Sequence, residues 1–209
     1  MGARREVLQR LRATRRAVNH PAPWKSRRHF DDLAERFAQA LTAAHGEVWR
    51  AADLDEALER LGAFLAEIGA SRVIVNHEPP LDGLDFPARW PHIEWFVVGQ
   101  TPGDLRAFAA SADVGISGAQ AALAETGTVV VCSGPGRSRL TTLLPPVHVA
   151  FVPVARLTVD LFTWVADRRP NPMPANVVFV SGPSKTADIE QTLAVGVHGP
   201  TRFIAVLCP

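Results

Sequence analysis

Cysteine and lysine are among the scarce residues of this 209-residue chain, with two of each. The two cysteines, Cys132 and Cys208, form no C-x-x-C pair, so the sequence offers no thiolate zinc site and no ligand set for an iron–sulfur cluster. Each follows an apolar run, Val129–Val131 and Phe203–Leu207 respectively, the setting of buried and inert thiols. Long hydrophobic runs are missing too. The most apolar window, Val147 to Ala166, is interrupted by His148, Pro153, Arg156 and Asp160 and does not read as a membrane span. The arginine-rich N-terminus has no apolar stretch of the kind a secretory signal needs, and Glu6 stands where a myristoylation site requires Ser or Thr. A soluble, cytoplasmic protein is expected. Several signatures are absent as well: H-E-x-x-H, G-x-S-x-G, a Walker A loop and G-x-G-x-x-G, since Gly134-Pro-Gly136 lacks the third glycine. Zincin, serine hydrolase and dinucleotide readings therefore fail, and no flavin or nicotinamide cofactor is indicated.

What is present is a chain able to bury a core, 47% hydrophobic and 21% charged, of a size for one domain with decorations. The formal net charge of +1 hides an asymmetry. Residues 1–30 carry nine basic side chains against Glu6, a net of +8, and residues 31–209 carry 13 basic and 20 acidic groups, a net of −7. Residues 1–30 read as a basic arm with a short helix striped by Val7, Leu8 and Leu11. Against an acidic body, docking on its own domain or a neighbouring subunit is expected rather than nucleic-acid binding. No aromatic residue is interleaved with the basic helix, which weakens an RNA reading further.

Residues 31–209 read as an α/β domain. Helices are predicted from Asp32 to about Ala44, from Asp53 to Gly69, and from Asp104 to Ala110. Further helices are predicted over Ala119–Ala124, from Leu157 to about Asp167, and from about Thr186 to Val195. Strands are predicted at Glu47–Arg50, Val73–Val75, Trp95–Val98, Asp113–Ile116, Thr128–Cys132, Val147–Val152, Val177–Val180 and Phe203–Leu207. Short β-rich runs alternating with helices call for a largely parallel sheet covered on both faces.

Ligands of such sheets bind beyond strand ends, so turns are where chemistry is sought. After the strand Val177–Val180 come Ser181, Gly182, Pro183, Ser184, Lys185 and Thr186. If a helix starts there, its amides and dipole favour an anion, and Lys185 adds a charge. Of 22 basic residues, 20 are arginine, so the lysine points to a compact ammonium aimed at a carboxylate or phosphate. The alternative is an ordinary cap, with Ser184 capping and Asp188 neutralising Lys185. A second candidate is Glu125, followed by Thr126, Gly127 and Thr128. At a predicted helix C-terminus the dipole opposes this acid, which leaves it either a solvated residue or a base or nucleophile beside a pocket. The third is His198, bracketed by Gly196 and Gly199, either a hydrogen-bonding strut or a catalyst. His148, at the start of a strand, reads as structural. No metal site is indicated.

Four stretches together resemble one family: Ala124-Glu-Thr-Gly-Thr128, Leu144-Pro-x-Val-His148, Ser181-Gly-Pro-Ser-Lys-Thr-Ala-Asp-Ile-Glu190 and Gly196-Val-His-Gly-Pro200. This is the lactate utilization protein C family, whose LUD domain would cover the chain from about residue 30 to its end. The resemblance implies a Rossmann-like three-layer sandwich similar to the NagB/RpiA/CoA-transferase-like superfamily. It also implies a role in oxidising L-lactate to pyruvate beside iron–sulfur partner proteins. With no cluster ligands in this chain, the electron carriers are expected on those partners. Three roles stay open: an accessory or substrate-binding component, a stand-alone acyl- or CoA-transferase-like enzyme with Glu125 as nucleophile, and a non-catalytic subunit docking through its basic arm. The composite site requires Glu125, Lys185 and His198 to line one cavity.

Overall fold

A computed structural model describes residues 3–14, 24, 26–167, 172–187, 193–196 and 198–209. The elements are, in chain order, α1 (Ala3–Ala13), α2 (Leu33–Ala43), β1 (Glu47–Arg50), α3 (Leu54–Glu67), β2 (Arg72–Val75), α4 (Phe86–Arg89), β3 (Glu94–Val97) and α5 (Leu105–Ser111). They continue with β4 (Val114–Gly118), β5 (Ala121–Leu123), β6 (Thr128–Cys132), α6 (Leu140–Leu143), β7 (Val147–Pro153), β8 (Leu157–Thr158) and α7 (Leu161–Asp167). Last come β9 (Val177–Val180), β10 (Lys185–Ala187), β11 (Leu193–Val195) and β12 (Arg202–Cys208). Aspartates set the helix starts. Asp32 accepts from the Glu35 amide at 2.9 Å and Asp53 from the Glu56 amide at 2.8 Å, each satisfying a donor that the first helical turn leaves unpaired.

Six strands form the main sheet in the order β1-β12-β7-β4-β2-β3, with every neighbouring pair parallel. Side chains alternate across it, as the pleat demands. Val73, Val75, Val114, Ile116, Val149, Phe151, Ile204 and Val206 pack against α3 and α4. On the opposite face, Ala150, Val152, Phe203, Ala205 and Leu207 meet Phe37 and Leu41 of α2, while Ile74 and Phe96 meet Phe108 of α5. A second sheet, β8-β5-β6-β9, lies on this α2 side through Ala122, Val129 and Val131 and is covered from outside by Trp164 of α7. The result is a largely parallel α/β sandwich. The arm's helix α1 stands apart: Val7, Leu8 and Leu11 are all exposed.

Three predicted helices are corrected. Ala119–Ala124 contains strand β5, hydrogen-bonded between β6 and β8 with every residue buried. Alanine favours helix, but two waiting strand edges and a closely packed interface override that propensity. The run from Leu157 to Asp167 splits into β8 and α7 at Asp160, whose carboxylate accepts from the Thr163 amide at 2.8 Å. The stretch from Thr186 to Val195 is not a helix in its described parts. Lys185–Ala187 pairs antiparallel with Leu193–Val195, with Lys185 opposite Val195. Extended pairing satisfies both short segments, and Asp188 lies outside the described residues.

Candidate functional site

The motif-bearing residues gather around the turn between β5 and β6 and the exit of β9. Glu125 sits in a hairpin turn, so no helix dipole opposes it. Its amide donates to the Val159 carbonyl, its carbonyl accepts from Arg36 Nη2 at 2.9 Å, and its carboxylate Oε1 lies 3.0 Å from Arg28 Nη2. Buried Asp160 is 3.9 Å from the same guanidinium. Hydroxyls form a chain: Thr126 Oγ1 to Thr128 Oγ1 at 2.6 Å, then to Ser181 Oγ at 2.7 Å. Gly127 has φ +63° and faces the α2 backbone at Leu41, so a Cβ there would collide with main chain.

Lys185 lies in a strand and not in a first helical turn. Its Nζ donates to the Ala44 carbonyl at 2.6 Å, at the C-terminal end of α2, where unpaired carbonyls and the negative end of the helix dipole favour a cation. Gly182 (φ +130°) brings the β9–β10 connection against that same carbonyl. Ser184 donates its amide to Pro200 and accepts from the Gly196 amide, and Gly199 packs on the Ser184 side chain. The structure thus joins Glu125 to the arm, Thr126 and Thr128 to Ser181, and Ser184 to Gly199. His198 is exposed, and no described hydrogen bond or ion pair links it to Glu125 or Lys185. The Thr186 side chain is outside the described set.

At the other end of β6 the geometry is different. The chain leaves β2 for β3 on one side and leaves β4 for the second sheet before returning as β7 on the other, a divergence that marks a crevice at the carboxyl edge of the sheet. Asn76 and Glu78, just past β2, and Gly118, at the end of β4, line it. Glu78 Oε1 accepts from Asn76 Nδ2 and from the Gly118 amide, both at 3.1 Å. Asn76 Oδ1 accepts from the Ser138 amide at 3.0 Å and from Thr141 Oγ1 at 2.9 Å. Gly136 (φ +69°) lets the loop close over His77, whose amide donates to the Gly136 carbonyl at 2.8 Å. The loop Ser133-Gly-Pro-Gly-Arg-Ser-Arg139 is therefore sewn onto the crevice. Burial lifts the Glu78 carboxyl above its ordinary range, partly offset by the two hydrogen bonds it accepts.

Above this loop lies a cleft of about 760 Å³ lined by Arg106, Arg137, Arg139, Ser133, Ser138 and Asn176 among others. A second, of about 440 Å³, shares Ser133, Gly134, Arg137 and Ala175 with it and runs past Pro172, Met173 and Pro174. Among the described residues, no acidic side chain lines either. Among the described residues no group accepts a hydrogen bond from the Arg106, Arg137 or Arg139 guanidinium. Sequence reasoning passed over this place. Gly134-Pro-Gly136 fails as a dinucleotide fingerprint, yet the glycines, serines and arginines of Ser133–Arg139 are themselves an anion-binding signal. His148, read as structural, is fully buried behind the crevice with Nε2 2.9 Å from Ser117 Oγ. Burial holds its pKa down at about 3.

The family model of the LUD domain matches residues 34–208. This chain belongs to the LUD-domain family. It is 36% identical to lactate utilization protein C of Exiguobacterium sp. over 185 residues, covering 85% of this chain and 78% of that protein. To lactate utilization protein C of Halalkalibacterium halodurans it is 33% identical over 180 residues, 82% of this chain and 77% of that protein. The crystal structure of a DUF162 family protein from Deinococcus radiodurans superposes with a TM-score of 0.60 at 18% identity, covering 85% of this chain and 96% of that one. That likeness speaks for the fold. Among the described residues of this LUD domain, no helix is long and apolar enough to cross a membrane.

Proposed function

We propose that this LUD-domain chain is the anion-binding, substrate-handling component of a system that oxidises L-lactate to pyruvate, and that the electrons travel on iron–sulfur partner proteins. The kinship with lactate utilization proteins supports the setting. Two cysteines buried in separate strands cannot supply the thiolates of a cluster, so the iron–sulfur clusters belong to the partners. The observation that carries the reading is the carboxyl-edge cleft, where three arginines with no described hydrogen-bond acceptor for their guanidiniums face a space whose described lining holds no acid.

The turn at Ser181–Lys185 is the rival anion site. Its ammonium is committed to Ala44, and its serine hydroxyl to Thr128. An acyl- or CoA-transfer role for Glu125 would have to displace the partly exposed Arg28 ion pair that engages its Oε1. The test is lactate-dependent pyruvate formation by the assembled system. Arg137→Ala is expected to lower it about tenfold or more, the loss of one charge-assisted contact. Lys185→Ala is expected to leave it within about twofold per folded molecule. The reverse pattern places the anion at the turn and refutes the cleft.

A further inference from the structure

We propose that the arginine cleft takes an organic phosphate with two or more negative charges and an apolar body, and not lactate itself; this rests on the cleft being the operating site. Charge is the first argument. Lactate brings one carboxylate, which one guanidinium engages in a bidentate pair. Here Arg106 on α5 and Arg137 and Arg139 on the loop line one space from two elements, with no acid among its described lining residues. Buried Glu78, beneath the loop, attracts Arg137 alone of the three, and its Oε1 is already bonded to Asn76 and Gly118. Three like charges lining one space repel one another, and a multiply charged anion offsets that repulsion better than a single carboxylate does.

Size is the second argument. A cleft of about 760 Å³ opening into a further 440 Å³ matches the range of sites that hold drug-sized ligands, and a three-carbon acid would occupy little of it. The far part is walled by Pro135, Pro172, Met173 and Pro174, and Met173 is 59% exposed. A flat or aliphatic body fits this surface; inorganic phosphate does not. The third argument is a polar one. Asn176 lines the main cleft, and its Oδ1, buried just behind the surface, has no donor among the described residues. A ligand hydroxyl or N–H would satisfy it, which fits a nucleotide-like molecule better than a simple acid.

The experiment is calorimetric titration of the full chain with ADP, FMN and coenzyme A, beside inorganic diphosphate and L-lactate. At least one of the three organic phosphates is expected to saturate, at least tenfold tighter than inorganic diphosphate and at least a hundredfold tighter than L-lactate. Arg137→Ala and Arg106→Ala should each weaken that ligand tenfold or more, with Arg137→Gln as a second variant if the alanine form is unstable; Lys185→Ala should not. If none of the three binds, or if L-lactate binds as tightly, the proposal is overturned. That result would leave the proposed function standing, since the latter falls only if Arg137→Ala leaves lactate oxidation unchanged.

Discussion

The two ends of strand β6 present opposite solutions to the same density of polar residues. At Thr128 the hydroxyls and Lys185 bond to one another and to backbone, tying β6, β9 and the end of α2 together. At Cys132 and beyond, the loop's inward groups are satisfied by Asn76, while its arginines point into an open cleft. Polarity turned inward holds a fold; polarity left uncommitted at a sheet's carboxyl edge is available to a ligand. A specific motif can belong to the first kind, as Ser181–Lys185 does in its described contacts.

Substitutions at the two ends should therefore separate stability from binding. The largest effect is expected from Gly127→Ala, which puts a Cβ against the α2 backbone at a positive φ. A loss of about 3 kcal/mol or more in urea unfolding is expected, whereas Arg137→Ala should stay within about 0.5 kcal/mol of the parent. Equal losses would break the contrast. Acid comes next. His148 is neutral in the folded state with a pKa near 3 against 6.5 unfolded, so the unfolded chain alone takes the proton below pH 6.5. Stability should fall as the pH drops below 6.5, His148 contributing at most about 1.4 kcal/mol per pH unit, and His148→Gln should flatten that slope.

Smaller effects sharpen the picture. Ser181→Ala removes one link of the hydroxyl chain and should cost about 1 kcal/mol by chemical denaturation without altering ligand titrations. Smallest is Glu78→Gln. The amide keeps an oxygen for Asn76 and Gly118 but removes a charge that burial disfavours. Because the folded-state pKa is raised, the stabilising protonated form is lost as pH rises through it. The variant should melt above the parent at pH 7, and the gap should close near pH 4; a variant that melts lower at pH 7 would contradict this.

The parallel sheet was legible because its strands are buried on both faces and read as runs such as Val73–Val75 and Phe203–Leu207. The second sheet was not, since Ala121–Leu123 is made of residues that favour helix and becomes a strand only because β6 and β8 are there to pair with it. The hairpin of β10 and β11 was hidden behind a turn that resembles a helix cap. The cleft was least legible of all. Arg106 and Arg139 are ordinary surface charges in one dimension, and only the divergence of β2 and β4 brings the loop and α5 together.

The place of β12 bears on how the molecule comes into being. It lies between β1 and β7, so the first strand of the sheet touches the rest only through the last one made. On a ribosome, β1 and the faces of α2 and α3 must wait, incompletely covered, until residues 202–208 have emerged. Completion is thus one late, long-range event, and a chain stalled before residue 202 would expose two adhesive edges at once.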